Sequence, residues 1–374
     1  MVDEKHVVTP WDVSGAVDYK RLINEFGIEE IGPELLKRIE KIAGKNFMLD
    51  RKIFFAHRDL KWLLDEYDKG NKFFLYTGRS PSGPIHLGHL MPWIFTKWIQ
   101  DAFDCELYFQ FPDEEKFLFR KDLTYEDAQK YLHENMLDVI ALGFNPKKTH
   151  FIINTKHADL LYPEACKVAK KLTYSMVKSS FGLDESSNVG QIFYTSMQAV
   201  PAFLPSVIKG KKMPCLIPYA VDQDPHFRLT RDILPKIGHH KPASIQCSFL
   251  PPLTGMDGKM SSSKEYTAIY STDTPKEVER KIKKYAFSGG RDTLEEHRRH
   301  GGNPDVDISF QYLKYMFEPD DKKLREIYNS YKSGSKTSGE LKQIVIEKIN
   351  SFLKEHQKKR ELAKKKVDDF IYKK

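Results

Sequence analysis

The amino-acid sequence predicts an α/β fold, a parallel sheet with helices on both faces, followed by an all-α domain. Between residues 72 and 253 short apolar runs alternate with helical patterns, as is typical of βαβ units. After Tyr270 only helical patterns remain. The 374 residues exceed one compact domain, which usually takes roughly 100–200 residues, so we expect two or three.

The first part of the chain, 1–70, is expected to form an N-terminal helical extension. Leu35, Leu36, Ile39 and Ile42 recur at helical spacing, and the segment 54–59 leads into another helix.

The sheet domain, which we expect to be the catalytic domain, is predicted to span 71–270. Its strands are expected at 73–76, 107–111, 150–153, 215–221 and 245–250. The stretch 160–212 is too long for a simple crossover and looks helical, so we interpret it as an insertion in the sheet domain.

The segment 271–374 is predicted to be a separate α-domain. Its helices are expected at 275–287, 308–317, 320–331 and 338–371. Thr274-Pro275 is a helix start with proline in the first turn.

Composition narrows the class of protein. Hydrophobic residues make up 40% and charged residues 30%, which excludes wholesale disorder. The sequence has neither an apolar run of about 18 residues nor the apolar core of a signal peptide. The four cysteines are far apart and form no CxxC pair, so a zinc knuckle or disulfide framework is not indicated. We expect a cytoplasmic protein that does not enter a membrane.

The net charge of +8 is concentrated at the end of the chain. Residues 351–374 contain nine Lys and Arg against four acids, which places +5 there. A basic helix is compatible with a polyanionic partner, but Lys/Glu-rich helices are more often solvated faces. Charge alone therefore does not decide the function.

The first motif follows the first predicted strand of the sheet. Glycines and prolines in 77–85 form a tight turn that ends in His86-Leu87-Gly88-His89 at the start of a helix. In open, Rossmann-like α/β sheets ligands bind at this end of the strands, and a helix N-terminus favours phosphate. Gly88 leaves room for adenine or ribose, and the two imidazoles are predicted to donate to phosphate oxygens. A helix cap with two incidental histidines is an equally good account of HxGH alone.

The second motif, Lys259-Met260-Ser261-Ser262-Ser263, follows the last predicted strand. A mobile ammonium with hydroxyl donors is suited to follow charge on the phosphates into a transition state, so Lys259 is the predicted catalytic cation. Alone, the motif would more often be a polar surface linker. With the first motif it predicts an ATP site formed by Thr77, Gly78, Arg79, His86, Gly88, His89, Lys259, Met260, Ser261, Ser262 and Ser263.

The two motifs, in this order and about 170 residues apart, resemble the signatures of class I aminoacyl-tRNA synthetases. One position departs from that family, whose second motif has a further lysine where this chain has Ser262. Lys116 is a candidate to supply the missing charge. We therefore count His86, His89, Lys259 and Lys116 as predicted catalytic residues.

Longer matches resemble the tryptophanyl-tRNA synthetases of the archaeal and eukaryotic type. They are YTGRSPSGPIHLGH at 76–89, PDEEK at 112–116, VDQDPHFRLTRD at 221–232, and AFSGGRDTLEEHR at 286–298. The resemblance implies activation of tryptophan with ATP, transfer to tRNA(Trp), and a homodimer to which 160–212 contributes. Mg²⁺ is expected to accompany ATP as a phosphate-bound ion, without a protein metal motif.

The resemblance also implies the residues that bind tryptophan. Tyr76 and Gln110 match the residues that contact indole, which offers one N–H donor and a flat apolar face. Glu115 and Gln223 would hold the ammonium, and Gln198 the carboxylate. Taken singly, each also fits an ordinary structural role, as a strand aromatic, a capping residue or part of a solvated acidic run.

The same resemblance places anticodon contacts at Arg291 and Asp292 in the α-domain. A turn closed by an ion pair is the alternative for this dipeptide.

Two rival functions stay open at this point. A tyrosyl-tRNA synthetase shares fold and motifs, but would be expected to meet a phenol with a tyrosine and an aspartate, and Gln110 argues against it. A synthetase-like RNA-binding module without activity would be expected to lose HxGH or KMSSS, and both are present.

Overall fold

The computed structural model describes residues 7–8, 13–14, 19–262 and 264–373. Trp11 in the predicted extension and Ser263 in the predicted ATP site lie outside these residues.

A seven-stranded sheet forms the centre of the described chain. The strands are β1 Val7–Val8, β2 Val13–Ser14, β3 Glu29–Glu30, β4 Phe54–Arg58, β5 Phe74–Gly78, β6 Glu106–Phe111, β7 Thr149–Ile153, β8 Cys215–Ala220 and β9 Ala243–Cys247. A separate two-stranded ribbon pairs β1 with β2. In the sheet the strands lie in the order β3-β4-β9-β8-β5-β6-β7, where β5 to β9 are mutually parallel and β3 and β4 are antiparallel additions at one edge.

The strand order creates a switch point beside β5. From β5 the chain adds β6 and β7 on one side, and then returns to add β8 and β9 on the other. Loops that leave neighbouring strands in opposite directions open a crevice at the carboxyl ends of those strands, which is where such sheets bind ligands. The predicted parallel sheet is therefore confirmed, and its crevice lies at the ends of β5 and β8.

Side chains alternate along the strands and so divide the core between the two faces. Leu75 and Phe109 belong to one hydrophobic cluster, whereas Phe74, Tyr76 and Tyr108 belong to the other. The helices of this region are α5 Leu87–Phe103, α6 Glu115–Phe119, α7 Tyr125–Ala141, α8 Ala158–Ala169, α9 Tyr174–Phe181, α10 Val189–Ala199, α11 Leu204–Ile208 and α12 Asp224–Ile233.

The N-terminal segment differs from the predicted helical extension. It contains helices, but it also supplies β3 and β4, and β4 pairs antiparallel with β9. Phe54–Arg58 is buried along almost its whole length, and a short apolar run of this kind has no periodicity that separates strand from helix. The helices are α1 Tyr19–Phe26, α2 Pro33–Ala43, α3 Phe47–Asp50 and α4 Leu60–Asp68.

The C-terminal helices pack back onto the sheet region. One hydrophobic cluster runs continuously from Ile39 through Phe109 to Phe370, so the expected separate domain shares its core with the sheet. Between the two parts, the buried Asp138 of α7 accepts from His356 Nε2 at 2.9 Å and pairs with Arg360. The helices are α13 Pro275–Tyr285, α14 Leu294–His300, α15 Ile308–Tyr312, α16 Asp321–Lys332, α17 Ser338–Ala363 and α18 Val367–Phe370.

Within the described ranges, no helix has both the length and the apolar character that crossing a lipid bilayer requires.

Candidate active site

Two adjoining cavities lie at the switch point of the sheet. The larger is a cleft of about 810 Å³ between the turn after β5 and the loop after β9. The smaller is a side pocket of about 130 Å³ at the carboxyl ends of β5, β6 and β8. Six predicted site residues line both cavities, namely Thr77, Gly78, Arg79, Glu115, Gln198 and Gln223.

The first motif forms the floor of the cleft. His86 is the N-cap of α5, and its ring stacks on that of His89 with 3.6 Å between centroids. The backbone N–H of His86 donates to His89 Nδ1 at 3.3 Å. A Cβ atom at Gly88 would lie 3.2 Å from the His86 ring and 3.5 Å from Met260 Sδ. Glycine at this position therefore lets the stacked rings and the second motif approach the helix start.

Both histidines are held in the neutral form. Burial is the main reason that the pKa of His86 lies well below its usual value, and the nearby charges of Arg79 and Lys259 lower it further. The pKa of His89 is lowered in the same way, by burial first and then by Arg79. A neutral imidazole donates one N–H and keeps one acceptor. The pair therefore offers hydrogen bonds to phosphate rather than positive charge.

The second motif packs against the first. Lys259 Nζ lies in the cleft and donates to Asp222 Oδ2 at 2.6 Å. Ser262 Oγ donates to the carbonyl of Pro84 at 3.2 Å, which ties the loop to the turn after β5. Met260, Ser261 and Ser262 all line the cleft.

Arg79 adds a further cation to the cleft. Burial lowers its pKa to about 10, partly opposed by the charge of Glu115, so the guanidinium stays charged at neutral pH. Within the described chain its Nε is buried and has no hydrogen-bond partner. Lys116 also lines the cleft, but its ammonium is paired with Glu115 Oε1 at 2.7 Å.

The side pocket has a polar end and apolar walls. Tyr76 Oη lies 2.6 Å from Gln110 Oε1 and 2.9 Å from the carbonyl of Gln198. Phe227 packs edge-on against Tyr76 with 5.7 Å between centroids, and Ile217 completes the wall. A flat ring with one N–H donor fits such a pocket.

The opening between the pocket and the cleft carries the groups that suit an amino acid's charged end. Glu115 is buried, and although burial raises its pKa, Lys116 and a hydrogen bond from Ser80 bring that pKa below its usual value. Tyr194 Oη donates to Glu115 Oε2 at 3.2 Å. The side-chain oxygen of Gln198 is buried without a partner among the described residues.

Several lining residues were not singled out from the sequence. Asp222 lies within VDQDP, and only the ion pair with Lys259 gives it a role. Tyr194 and Phe227 come from α10 and α12, whose approach to the pocket no local pattern reports.

Arg291 and Asp292 lie elsewhere, in the loop between α13 and α14. Both side chains are exposed, and Arg291 Nε donates to the carbonyl of Gly301 at 3.2 Å. Neither residue lines the two cavities.

The sheet order, the neutral histidine pair and the cation-bearing loop are those of a nucleotide-binding α/β enzyme, and a second, partly apolar pocket adjoins the cleft. The model of the family "tRNA synthetases class I (W and Y)" matches residues 68–354. The chain belongs to this family.

Similar proteins extend over almost the whole chain. A tryptophan–tRNA ligase of Sulfurisphaera tokodaii is 52% identical, over 98% of this chain and 95% of the relative. The tryptophan–tRNA ligase of Pyrococcus furiosus is 47% identical, over 99% of this chain and 95% of the relative.

Solved structures agree with the fold. A tryptophanyl-tRNA synthetase from Giardia lamblia has a TM-score of 0.89 at 40% identity, covering 95% of this chain and 96% of that one. A tryptophanyl-tRNA synthetase from Encephalitozoon cuniculi bound to tryptophan has a TM-score of 0.84 at 37% identity, covering 95% and 99%.

Proposed function

We propose that this chain is a tryptophan–tRNA ligase, which activates tryptophan with ATP and transfers it to tRNA(Trp). The main observation behind this proposal is that the side pocket opens into the larger cleft. The small pocket ends in the Tyr76 and Gln110 oxygens, and it opens into a cleft where His86, His89 and Lys259 meet. Family membership and the tryptophan–tRNA ligase relatives support the same reaction.

Tryptophan is oriented by both ends of the pocket. The indole N–H donates to the oxygens at Tyr76 and Gln110, and a substrate without that donor leaves them unpaired, which is the source of selectivity. The ammonium is held by Glu115 together with Gln223, while Gln198 positions the carboxylate. This arrangement directs the carboxylate toward the cleft.

Adenylate formation begins when a carboxylate oxygen of tryptophan attacks the α-phosphorus of ATP in line. The new bond gives tryptophanyl-adenylate, and the bond to pyrophosphate breaks. Thr77, Gly78 and Gly88 provide backbone surface for the nucleotide, and His86 and His89 donate to phosphate oxygens. Most of the catalysis is positioning and charge stabilisation, as in other phosphoryl chemistry.

Lys259 supplies charge as pyrophosphate departs. The position of the absent second lysine is taken by Ser262, whose hydroxyl is bound to Pro84. Lys116 remains the predicted replacement, and Arg79 is a second candidate because its Nε is uncommitted among the described residues. Pyrophosphate exchange distinguishes the two candidates. Unimpaired turnover in Lys116→Ala would exclude Lys116 as the replacement for the second lysine, and unimpaired turnover in Arg79→Ala would exclude Arg79.

Mg²⁺ is proposed to accompany ATP. The described residues contain no cluster of three or more metal-ligating side chains, and the cleft presents cations, so the ion would be held by phosphate oxygens and water. Its contribution there is to neutralise phosphate charge.

The proposals for tRNA binding, for the homodimer and for the cellular location are based on the family resemblance. The segment 271–374 is proposed to bind the anticodon through Arg291 and Asp292, because single-stranded bases are read by stacking and edge hydrogen bonds. The segment 160–212 is proposed to contribute to a homodimer, and the cytoplasm is the proposed location. Sedimentation with and without tRNA(Trp) tests both the dimer and the partner.

The direct test of function is ATP–pyrophosphate exchange with tryptophan and with tyrosine, followed by charging of tRNA(Trp). We expect exchange with tryptophan at least about 1,000-fold better, since a site built for a buried hydrogen bond rejects substrates that do not match it. A preference for tyrosine would replace the assignment. Binding of tRNA without exchange of either amino acid would favour a non-catalytic module.

A further inference from the structure

A chain of hydrogen bonds runs from the side pocket to a carboxyl group behind it. Tyr76 Oη lies 2.6 Å from Gln110 Oε1, and Gln110 Nε2 donates to Asn154 Oδ1 at 2.9 Å. Asn154 Nδ2 donates in turn to Glu114 Oε1 at 2.7 Å. Gln110 and Asn154 are buried, so their hydrogen-bond partners come mainly from the protein.

The direction of this chain is set at one end only. The two ends of an amide have nearly the same shape, so an amide's partners decide which end faces which. Tyr76 does not decide it, because its one proton can go to Gln110 Oε1 or to the carbonyl of Gln198 at 2.9 Å, and in the second case the hydroxyl can accept from a Gln110 NH₂ group. An ionised carboxylate only accepts. An ionised Glu114 therefore requires Asn154 to point its NH₂ group toward Glu114 and its oxygen toward Gln110. Gln110 then points its NH₂ group toward Asn154 and its own oxygen toward the pocket.

We propose that Glu114 and Asn154 are positioning residues that determine specificity, because they keep the Gln110 oxygen facing the substrate's indole N–H. The inference rests on the proposed function, since it concerns recognition of tryptophan. With the chain reversed, the Gln110 NH₂ group would face the indole N–H, donor against donor. Tyr76 Oη would still have a lone pair for the indole, so the loss is partial.

The surroundings of Glu114 make its protonation state a variable. Burial raises its pKa to about 7, the bond from Asn154 opposes this, and the charges of Asp113 and Glu115 raise it again. Tyr125 of α7 and Tyr194 of α10 also face this group of carboxylates. Glu114 Oε2 is buried and has no hydrogen-bond partner in the described part of the chain, so a proton can bind there. The neutral acid can then turn its O–H toward Asn154 and donate to it, which a carboxylate cannot do. The carboxylate, and with it the fixed direction, predominates above about pH 7.

The test measures a ratio rather than an activity. The kcat/KM of pyrophosphate exchange is determined for tryptophan and for its benzothiophene analogue, in which sulfur replaces the indole N–H. The ratio is the value for tryptophan divided by the value for the analogue. In E114Q, whose amide fixes no direction, we expect the ratio to fall about tenfold while turnover of the analogue stays within about twofold. An unchanged ratio, or an equal loss for both substrates, would overturn the inference.

A second variant moves the carboxylate by one link. In E114Q/N154D the carboxylate at position 154 accepts from Gln110 Nε2 and from the amide introduced at position 114, which restores the direction. We expect its ratio to return to within about threefold of the unmodified enzyme's. A double variant no better than E114Q would contradict the mechanism. Glu164→Gln is the matched control. Glu164 is also buried and has an unpartnered oxygen among the described residues, but it lies on α8. A fall in its ratio as large as that of E114Q would overturn the assignment.

The unmodified enzyme provides an arm that does not depend on the folding of a variant. Its ratio should rise about fivefold as the pH is raised from about 6 to about 8 through the pKa of Glu114, if the neutral acid discriminates like E114Q. A flat ratio would overturn the inference. If the enzyme fails to exchange tryptophan at all, the proposed function falls; if it exchanges tryptophan with a ratio insensitive to E114Q, only this inference falls.

Discussion

Replacing Lys259 with alanine separates a catalytic effect from a structural one. The ammonium pairs with Asp222 at 2.6 Å, and the two side chains are 30% and 7% exposed. Breaking a fully buried pair costs about 3–5 kcal/mol, and a surface pair about 0–1 kcal/mol. Because Lys259 is about one-third exposed, we expect a loss of roughly 1–2 kcal/mol of unfolding free energy. Removing a charge that follows the transition state should lower kcat about 100- to 1,000-fold.

The pH dependence of stability identifies the structural part. Burial raises the pKa of Asp222, partly opposed by Lys259, and without the lysine that pKa rises further. A carboxyl whose folded pKa is raised is tolerated while protonated, and its ionisation destabilises the fold as the pH rises through that pKa. The deficit of the variant, measured by urea unfolding, should therefore be small near about pH 4 and reach roughly 1–2 kcal/mol by about pH 8.

Lys264→Ala is the matched control, because Lys264 is an exposed lysine that follows the same motif. It should retain exchange activity within about twofold and lose less than about 0.5 kcal/mol. A catalytic role of Lys259 is refuted if Lys259→Ala exchanges pyrophosphate within about threefold of the unmodified enzyme. A stability deficit independent of pH would refute the role given to Asp222.

Three further substitutions test other parts of the fold and site. Gly88→Ala puts a Cβ 3.2 Å from the His86 ring, and the displaced imidazole should raise the KM for ATP about tenfold in exchange assays; an unchanged KM would contradict this role. Arg79→Ala should lower kcat/KM for ATP about 10- to 100-fold, and Arg79→Lys should have an intermediate value. Equal kcat/KM for the two variants and the unmodified enzyme would exclude a phosphate contact of Arg79. Asp138→Ala removes the acceptor of the buried His356 Nε2 and one of the two acidic partners of Arg360, which keeps its ion pair with Glu134 at 2.6 Å. It should cost about 2–3 kcal/mol in urea unfolding with unchanged KM values; a loss under about 1 kcal/mol would show that the contact is dispensable.

The sequence predicted the parallel sheet well because each strand is a short apolar run between helical stretches. The runs at 107–111 and 150–153 differ from the observed β6 and β7 by a single residue at the start. The edge strands were missed for a physical reason. Phe54–Arg58 is buried by packing on a strand almost 200 residues later, and the two residues Glu29–Glu30 form a strand too short to leave a pattern.

The candidate site divides in the same way between local and distant information. The turn at 77–89 and the loop at 259–262 are continuous motifs, and both line the cleft. The partner of Lys259 is Asp222, and the partner of Gln110 is Asn154, each about 40 residues away. Pairs of this kind depend on strand order. Neither composition nor periodicity carries that order.

The charges in the cleft explain how it holds cations together before ATP arrives. Lys259 is neutralised by Asp222 and Lys116 by Glu115, while burial keeps His86 and His89 uncharged. An incoming triphosphate therefore has to compete with Asp222 for Lys259, so the ammonium adds little to binding of the nucleotide in the ground state. In the proposed mechanism the gain comes when charge grows on the departing pyrophosphate and draws the ammonium away from Asp222. Because interactions that strengthen only in the transition state raise kcat, the ion pair keeps Lys259 available for that step.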